Sequence, residues 1–194
     1  LCAGIDTTFN LGKFFITATS FRNTALQNRK TKKTPIFIGP TAIHFRTDAN
    51  SYQELLEYIS KELNNPNQLI IGSDGAVPIK NAVQAVFPDT THLYCTRHVR
   101  KNIERQLIKC RAIQEERRML LEIIFDSSDS LLQSETEEEF DVRLEDLRTR
   151  WDVLKRNHEA RFRGATDFFQ WFSQYQADVF RNHMIASLRI AAHY

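Results

Sequence analysis

The chain has 194 residues, 42% of them hydrophobic and 14 of them Phe, which is enough to bury a core as one domain, or one domain with an insertion, and excludes the disordered class. Net charge is +2, but unevenly spread: residues 1 to 111 hold fifteen Lys and Arg against eight Asp and Glu, and residues 112 to 194 hold eleven against sixteen. Three irregularly spaced cysteines exclude a disulfide framework and point to reduced thiols in an intracellular setting, and no apolar stretch reaches the length of a membrane span. The first part is thus net +7 and the second −5, an asymmetry that suggests a polyanion partner for the first. The sequence opens on Leu1, within a strand-like run, as an excised fragment would.

The apolar run Leu1 to Ile5, the β-branched and aromatic Gly12 to Phe21, and Pro35 to Phe45, interrupted by Gly39-Pro40, predict three strands close in sequence, most simply a meander. Ser51 to Glu54 has the form of a capping box, and Tyr52, Leu55, Leu56, Ile59 and Leu63 follow at helical spacing. Leu69 to Asp74 is continuously apolar before its acid, as expected of a central parallel strand covered on both faces. Pro78 opens a second helix carrying Ile79, Ala82, Val83 and Val86, and Thr91 to Cys95 predicts a fifth strand. The order βββαβαβ is the topology of a ribonuclease H-like α/β core.

An all-helical region is predicted after Cys95. Arg97 to Cys110 aligns Val99, Ile103, Leu107 and Cys110 on one face and Arg97, Lys101, Arg105 and Lys109 on the other. That basic stripe suits a phosphate backbone, although a solvated helix face explains it as well. Residues 112 to 125 predict another helix, Asp126 to Ser130 a turn, and Glu135 to Asn157 a long amphipathic helix whose Glu135, Glu137, Glu138 and Glu139 suit a helix N-terminus rather than catalysis. Gly164 breaks the pattern, Thr166 or Asp167 caps, and Phe168, Phe169, Trp171, Phe172 and Tyr175 form an aromatic helix suited to core packing more than to base stacking.

Asp6 and Asp74 each follow a short apolar run, and two carboxylates at the ends of rigid buried strands are what divalent-metal phosphodiester chemistry needs. Either could instead be a turn residue, since Asp-Gly is a common turn pair. His92, Cys95, His98 and Cys110 contain the donors of a structural zinc set, but strand residues alternate faces and make convergence of all four awkward. His44, on an apolar strand, reads as a packed or edge histidine. The run Asn28 to Lys33 suits nuclear import or DNA contact, and a solvated hairpin tip accounts for it equally.

Several strings together resemble the Mutator-like (MULE) transposase domain. They are Asp6-Thr7-Thr8-Phe9-Asn10, Gly39-Pro40 with Ile43-His44-Phe45, Ile71-Gly72-Ser73-Asp74-Gly75, Val86-Phe87-Pro88, His92 to His98, and Lys101-Asn102-Ile103. The likeness runs from residue 1 to about 105, and more loosely through the helices. It implies a DDE-type centre with Asp6 and Asp74 as first and second acids and metal ligands, and a functional role for Cys95 and His98. A two-metal Mg²⁺ or Mn²⁺ site, ions roughly 4 Å apart, would bind the scissile phosphate. His98 could donate a hydrogen bond to a phosphate oxygen.

The resemblance further implies an incomplete catalytic core over residues 1–98 and a helical insertion over 99–194, with the C-terminal core helix missing. Double-stranded DNA at transposon ends is the implied partner, with room for a homo-oligomer on the DNA, in the nucleus and without a membrane. The family usually carries its third acid, a Glu, after the insertion near an Asn-rich stretch, and none precedes Tyr194. Many relatives also have Glu where this chain has Ala76. Two functions follow: the core of a DNA-cleaving and strand-transferring transposase, or a catalytically inactive nucleic-acid-binding or interaction module derived from one.

Overall fold

The structure is a computed structural model that describes residues 2–23, 25–63 and 69–191, with the backbone alone at 2, 9–11 and 190–191. Leu1 at the head of the first apolar run, Gln68 ahead of the fourth strand, and Tyr194 lie outside the described residues. Contacts divide the chain into a unit ending at Cys95 and a unit beginning at Thr96.

The first unit is a mixed α/β layer. Strands β1 (Cys2–Leu11), β2 (Phe14–Arg22) and β3 (Ile36–His44) form the antiparallel meander the sequence predicts. Helix α1 (Ala49–Glu62), β4 (Ile70–Ser73), α2 (Val77–Val86) and β5 (Thr91–Tyr94) follow, and the sheet order is β3-β2-β1-β4-β5. The short apolar β4 runs parallel to both β1 and β5, so it is central as expected.

Gly12 and Lys13 do not extend β2 but make the turn before it, with Gly12 at φ +83°. Gly39-Pro40 does not end β3. The two residues oppose the single Thr19 as a bulge, whose hydroxyl donates to the Pro40 carbonyl at 2.7 Å. A proline without an N–H is tolerated here because β3 is the sheet edge. Helix α1 begins earlier than the capping box at Ser51 predicts: Asp48 is the N-cap, and its carboxylate accepts from the Ser51 N–H at 3.0 Å. Asp48, as a carboxylate, is the stronger acceptor and lies one turn ahead, which relegates Ser51 to the third helical position.

The core of this unit joins Ile5, Ile71 and Leu69 from the sheet to Tyr52 and Leu56 of α1 and to Ile79, Ala82 and Val83 of α2. Each such side chain contributes roughly 1.5–3 kcal/mol when fully buried. Because Ile5 and Thr7 are buried in that layer, strand alternation turns Asp6 to the other face, where it is exposed. Thr7 is held by a buried polar chain: its hydroxyl meets the Thr17 hydroxyl at 2.9 Å, and Thr17 meets His44 Nε2 at 2.7 Å. His44 Nδ1 donates to the Arg46 carbonyl at 2.5 Å, the only role a carbonyl partner permits. His44 is therefore a packed histidine, tying the β1–β2–β3 ladder together beside Asp6.

The second unit is helical. Helix α3 (Thr96–Lys109) buries Val99, Ile103 and Leu107. Helix α4 (Gln114–Leu121) is shorter than predicted because residues Glu122–Asp126 continue it as a single π-helical turn. Helix α5 (Glu137–Asn157) is capped by Thr136, which accepts from the Glu139 N–H at 3.1 Å, and the Glu139 carboxylate accepts from the Glu135 N–H at 2.7 Å. The glutamates of this turn are thus structural. After α6 (Glu159–Phe162), Asp167 rather than Thr166 caps α7 (Phe168–Tyr175). Helices α8 (Ala177–His183) and α9 (Ala186–Ala191) complete the unit and have no counterpart in the sequence expectation.

Phe168 and Phe172 are fully buried, with Phe168 against Trp151 at 5.5 Å and Phe172 against Phe180 at 5.6 Å between ring centroids. Offset and edge-on aromatic pairs of this kind add about 0.5–1.5 kcal/mol each beyond their area. Their rings are core, as the helical spacing predicts. Among the described residues no helix is long and apolar enough to cross a membrane.

Candidate functional site

Register places the two candidate acids. Strands β1 and β4 pair in parallel as Cys2↔Ile70, Ala3↔Ile71 and Gly4↔Gly72. Two residues beyond the last pair, where the strands run ~4.8 Å apart, lie Asp6 on one chain segment and Asp74 on the other. Asp6 is still within β1, paired with Ala18 of β2. Asp74 is the first residue past β4.

The turn after β4 sets how Asp74 is held. Its Oδ1 accepts from the Ala76 N–H at 2.9 Å, and Ser73 Oγ accepts from the Gly75 N–H at 3.1 Å. Ser73 Oγ also meets His92 Nε2 at 2.7 Å, and the Cys95 N–H donates to the Ser73 carbonyl at 2.7 Å. Asp74 therefore does act as a turn residue, through one oxygen; the other accepts no hydrogen bond from the described residues. Gly75 lies at φ +75°, and a Cβ there would sit 2.6 Å from the Tyr94 ring. Burial first, and then the Asp74 charge, push the Tyr94 phenol above the ordinary tyrosine range, so it remains an O–H. Tyr94 was given no role from sequence, yet the pairing Ser73↔Tyr94 brings it beside Asp74.

The remaining candidates are placed as follows. Cys95 is half-buried just past β5, and His98 lies in the first turn of α3 with a buried Nδ1 that has no hydrogen-bond partner. Arg97, Lys101, Arg105 and Lys109 are all exposed along α3. Among the described residues no acid pairs with any of the four, whereas Arg100 of the same helix meets Asp126 at 2.6 Å.

The proposed zinc set does not assemble, since no group of three His, Cys, Asp or Glu able to hold a metal occurs among the described residues. Two of its members are otherwise engaged. His92 Nε2 is on Ser73, and Cys110 is buried beside Gln106, its thiol pushed up to about 11 mainly by that burial. A thiol that resists ionisation is a poor zinc ligand.

A family model, the MULE transposase domain, matches residues 2–102. The chain belongs to the MULE transposase family. The matched stretch of this MULE transposase domain contains both acids, Cys95, His98 and the first half of the α3 stripe. No curated protein matches the chain.

Such domains commonly use a divalent ion, and although Asp6 and Asp74 belong to no group of three metal-holding side chains among the described residues, their donor chemistry suits one. Both are hard oxygen donors on backbone held by a sheet, and Mg²⁺ is typically bound by one or two carboxylates with water and substrate phosphate completing its shell.

Proposed function

We propose that this MULE transposase domain is the core of a DNA-cleaving and strand-transferring enzyme of ribonuclease H-like fold, with Asp6 and Asp74 as its metal-binding acids. The observation that carries this reading is the parallel register of β1 and β4, whose last pair, Gly4↔Gly72, lies two residues before each acid. The β3-β2-β1-β4-β5 order, three antiparallel strands joined to two parallel ones, supports the fold assignment.

A bound Mg²⁺ or Mn²⁺ would supply Lewis-acid activation of the attacking oxygen and neutralise charge on the leaving one. The chain's own groups do the rest. Asp6 presents its carboxylate on the open face of the sheet, and the Asx turn aims that of Asp74. The His98 imidazole is assigned a hydrogen bond to a phosphate oxygen, a role that falls to its Nε2 because Nδ1 is buried. Cys95 is assigned to the same catalytic neighbourhood as part of the Cys-x-x-His pair. Arg97, Lys101, Arg105 and Lys109 hold the duplex backbone. A nuclear location goes with transposon-end DNA as the partner in this reading, and the reading leaves room for a homo-oligomer on that DNA.

A second reading, a catalytically inactive DNA-binding module, is favoured by one observation: among the described residues no third carboxylate joins the pair. In a chain that runs on past Tyr194 and takes in the third acid, cleavage of duplexes bearing transposon ends in Mg²⁺ or Mn²⁺ separates the two. The enzyme reading expects wild-type cleavage that Asp6→Asn and Asp74→Asn each abolish while duplex binding persists. Cleavage undiminished in either variant would remove the two-acid assignment, and binding without cleavage by the wild type would favour the module.

A further inference from the structure

The geometry points to the tip of the β2–β3 hairpin, Arg29, Lys30, Lys32 and Lys33, as a second contact for the phosphate backbone of duplex DNA, separate from the carboxylate pair. It rests on the DNA reading above and adds to it a distal anchor.

Charge is the first observation. All four side chains are exposed, and among the described residues none of them has an acidic partner. Lys and Arg on a short exposed turn, with no carboxylate to neutralise them, form a local positive field suited to a polyanion.

Order is the second. The tip is pinned from within by its own turn chemistry. Asn28 Oδ1 accepts from the N–H groups of Lys30 and Thr31, each at 3.0 Å. The Lys32 N–H donates to the Asn28 carbonyl at 2.9 Å, the Asn28 N–H to the Lys33 carbonyl at 2.9 Å, and Gln27 Nε2 to the Lys32 carbonyl at 2.7 Å. The cations are thus presented on a fixed frame, which lowers the ordering cost of binding.

The third observation is a residue that local backbone preference would not choose. Lys32 sits at φ +57°, one of two non-glycine residues at positive φ among those described. Gly or Asn occupies this conformation with little strain, and an L side chain as long as lysine does so only against its preference. The sequence keeps a cation where glycine would fold more readily.

Position gives the reach. Arg22 pairs with Cys2 and Ala18 with Asp6, so four residues of strand, ~13 Å at ~3.3 Å per residue, separate the hairpin base from Asp6. The six residues from Arg22 to Asn28 span at most ~20 Å more. With ~7 Å more to Lys30, the tip lies at most ~40 Å along the chain from Asp6, little more than one ~34 Å turn of a duplex.

The test measures binding of the full chain to a fluorescent duplex of about three helical turns across a salt series. The triple variant Arg29→Gln, Lys30→Gln and Lys33→Gln should lower the slope of log affinity against log salt by about 2.7, and Lys32→Gly by about 0.9. Lys32→Gly is the discriminating variant, because glycine suits the backbone: thermal stability and hydrogen-exchange protection of the Lys32 amide should hold while affinity drops. Affinity lost only together with that protection would overturn the proposal in favour of a structural lysine. Wild-type slopes in both hairpin variants, alongside a reduced slope when the α3 stripe is neutralised, would overturn it alone and leave a protein import receptor as the candidate partner. No salt-dependent binding by the wild type would overturn this proposal and the DNA reading together.

Discussion

At the scale of single residues, Asp74 is the most revealing, because its turn role and its proposed metal role coexist. One carboxylate oxygen closes the Asx turn on Ala76, and the other, which accepts no hydrogen bond from the described residues, is the one proposed to meet the ion. The apolar run ending in Asp-Gly made the residue legible from sequence, but the reason for its glycine was not. Gly75 combines a positive φ with direct contact on Tyr94, a residue nineteen positions away that only strand pairing brings near. Gly75→Ala is expected to cost at least about 1–2 kcal/mol from backbone conformation alone, with the ring clash added. Hydrogen exchange at the β4 and β5 amides reads it: protection should fall at Ile71 to Ser73, and unchanged protection would mean that the turn tolerates a side chain. His44 was legible as a packed histidine from its apolar strand, whereas its partners Thr17 and Thr7 were not, since hydroxyls buried between strands look like surface residues in a linear pattern.

At the scale of elements, periodicity carried most of the reading, and local chemistry accounts for what it missed. The meander, α1, β4, α2, β5 and α3 all follow from apolar spacing. The start of α1 moved to Asp48, and the break expected in β3 became a bulge, because side-chain capping strength and the edge position of a strand decide such details. Helices α8 and α9 are short and follow an aromatic stretch whose burial comes from tertiary contact, so no period marked them. Helix α3 is the element with the clearest functional consequence. Its four exposed cations recur every fourth residue, and among the described residues none is neutralised by an acid. Replacing Arg97, Lys101, Arg105 and Lys109 together with Gln should weaken duplex binding and reduce the salt slope by up to about 3.6. An unchanged slope in a titration from low to high salt would return the stripe to a solvated face.

At the scale of the whole molecule, the order of elements was readable from the chain, but the order of strands was not. Nothing in a linear pattern says that β1 lies between β2 and β4, and that single arrangement puts the strand that carries residue 6 beside the strand that ends just before residue 74. The family match over residues 2–102 agrees with the resemblance carried by short strings in the first half, while the helical half rests on its own packing. The charge asymmetry has a structural expression too, in exposed cations on the hairpin and on α3. The account stands on the two acids sharing an ion, and paramagnetic broadening by Mn²⁺ in amide NMR spectra tests that most directly. Low Mn²⁺ should broaden the amides flanking Asp6 and Asp74, among them Thr7 and Gly75, and both Asp6→Asn and Asp74→Asn should abolish the effect. Broadening that survives in the variants, or that appears only at other acids such as Glu137 to Glu139, would contradict the account.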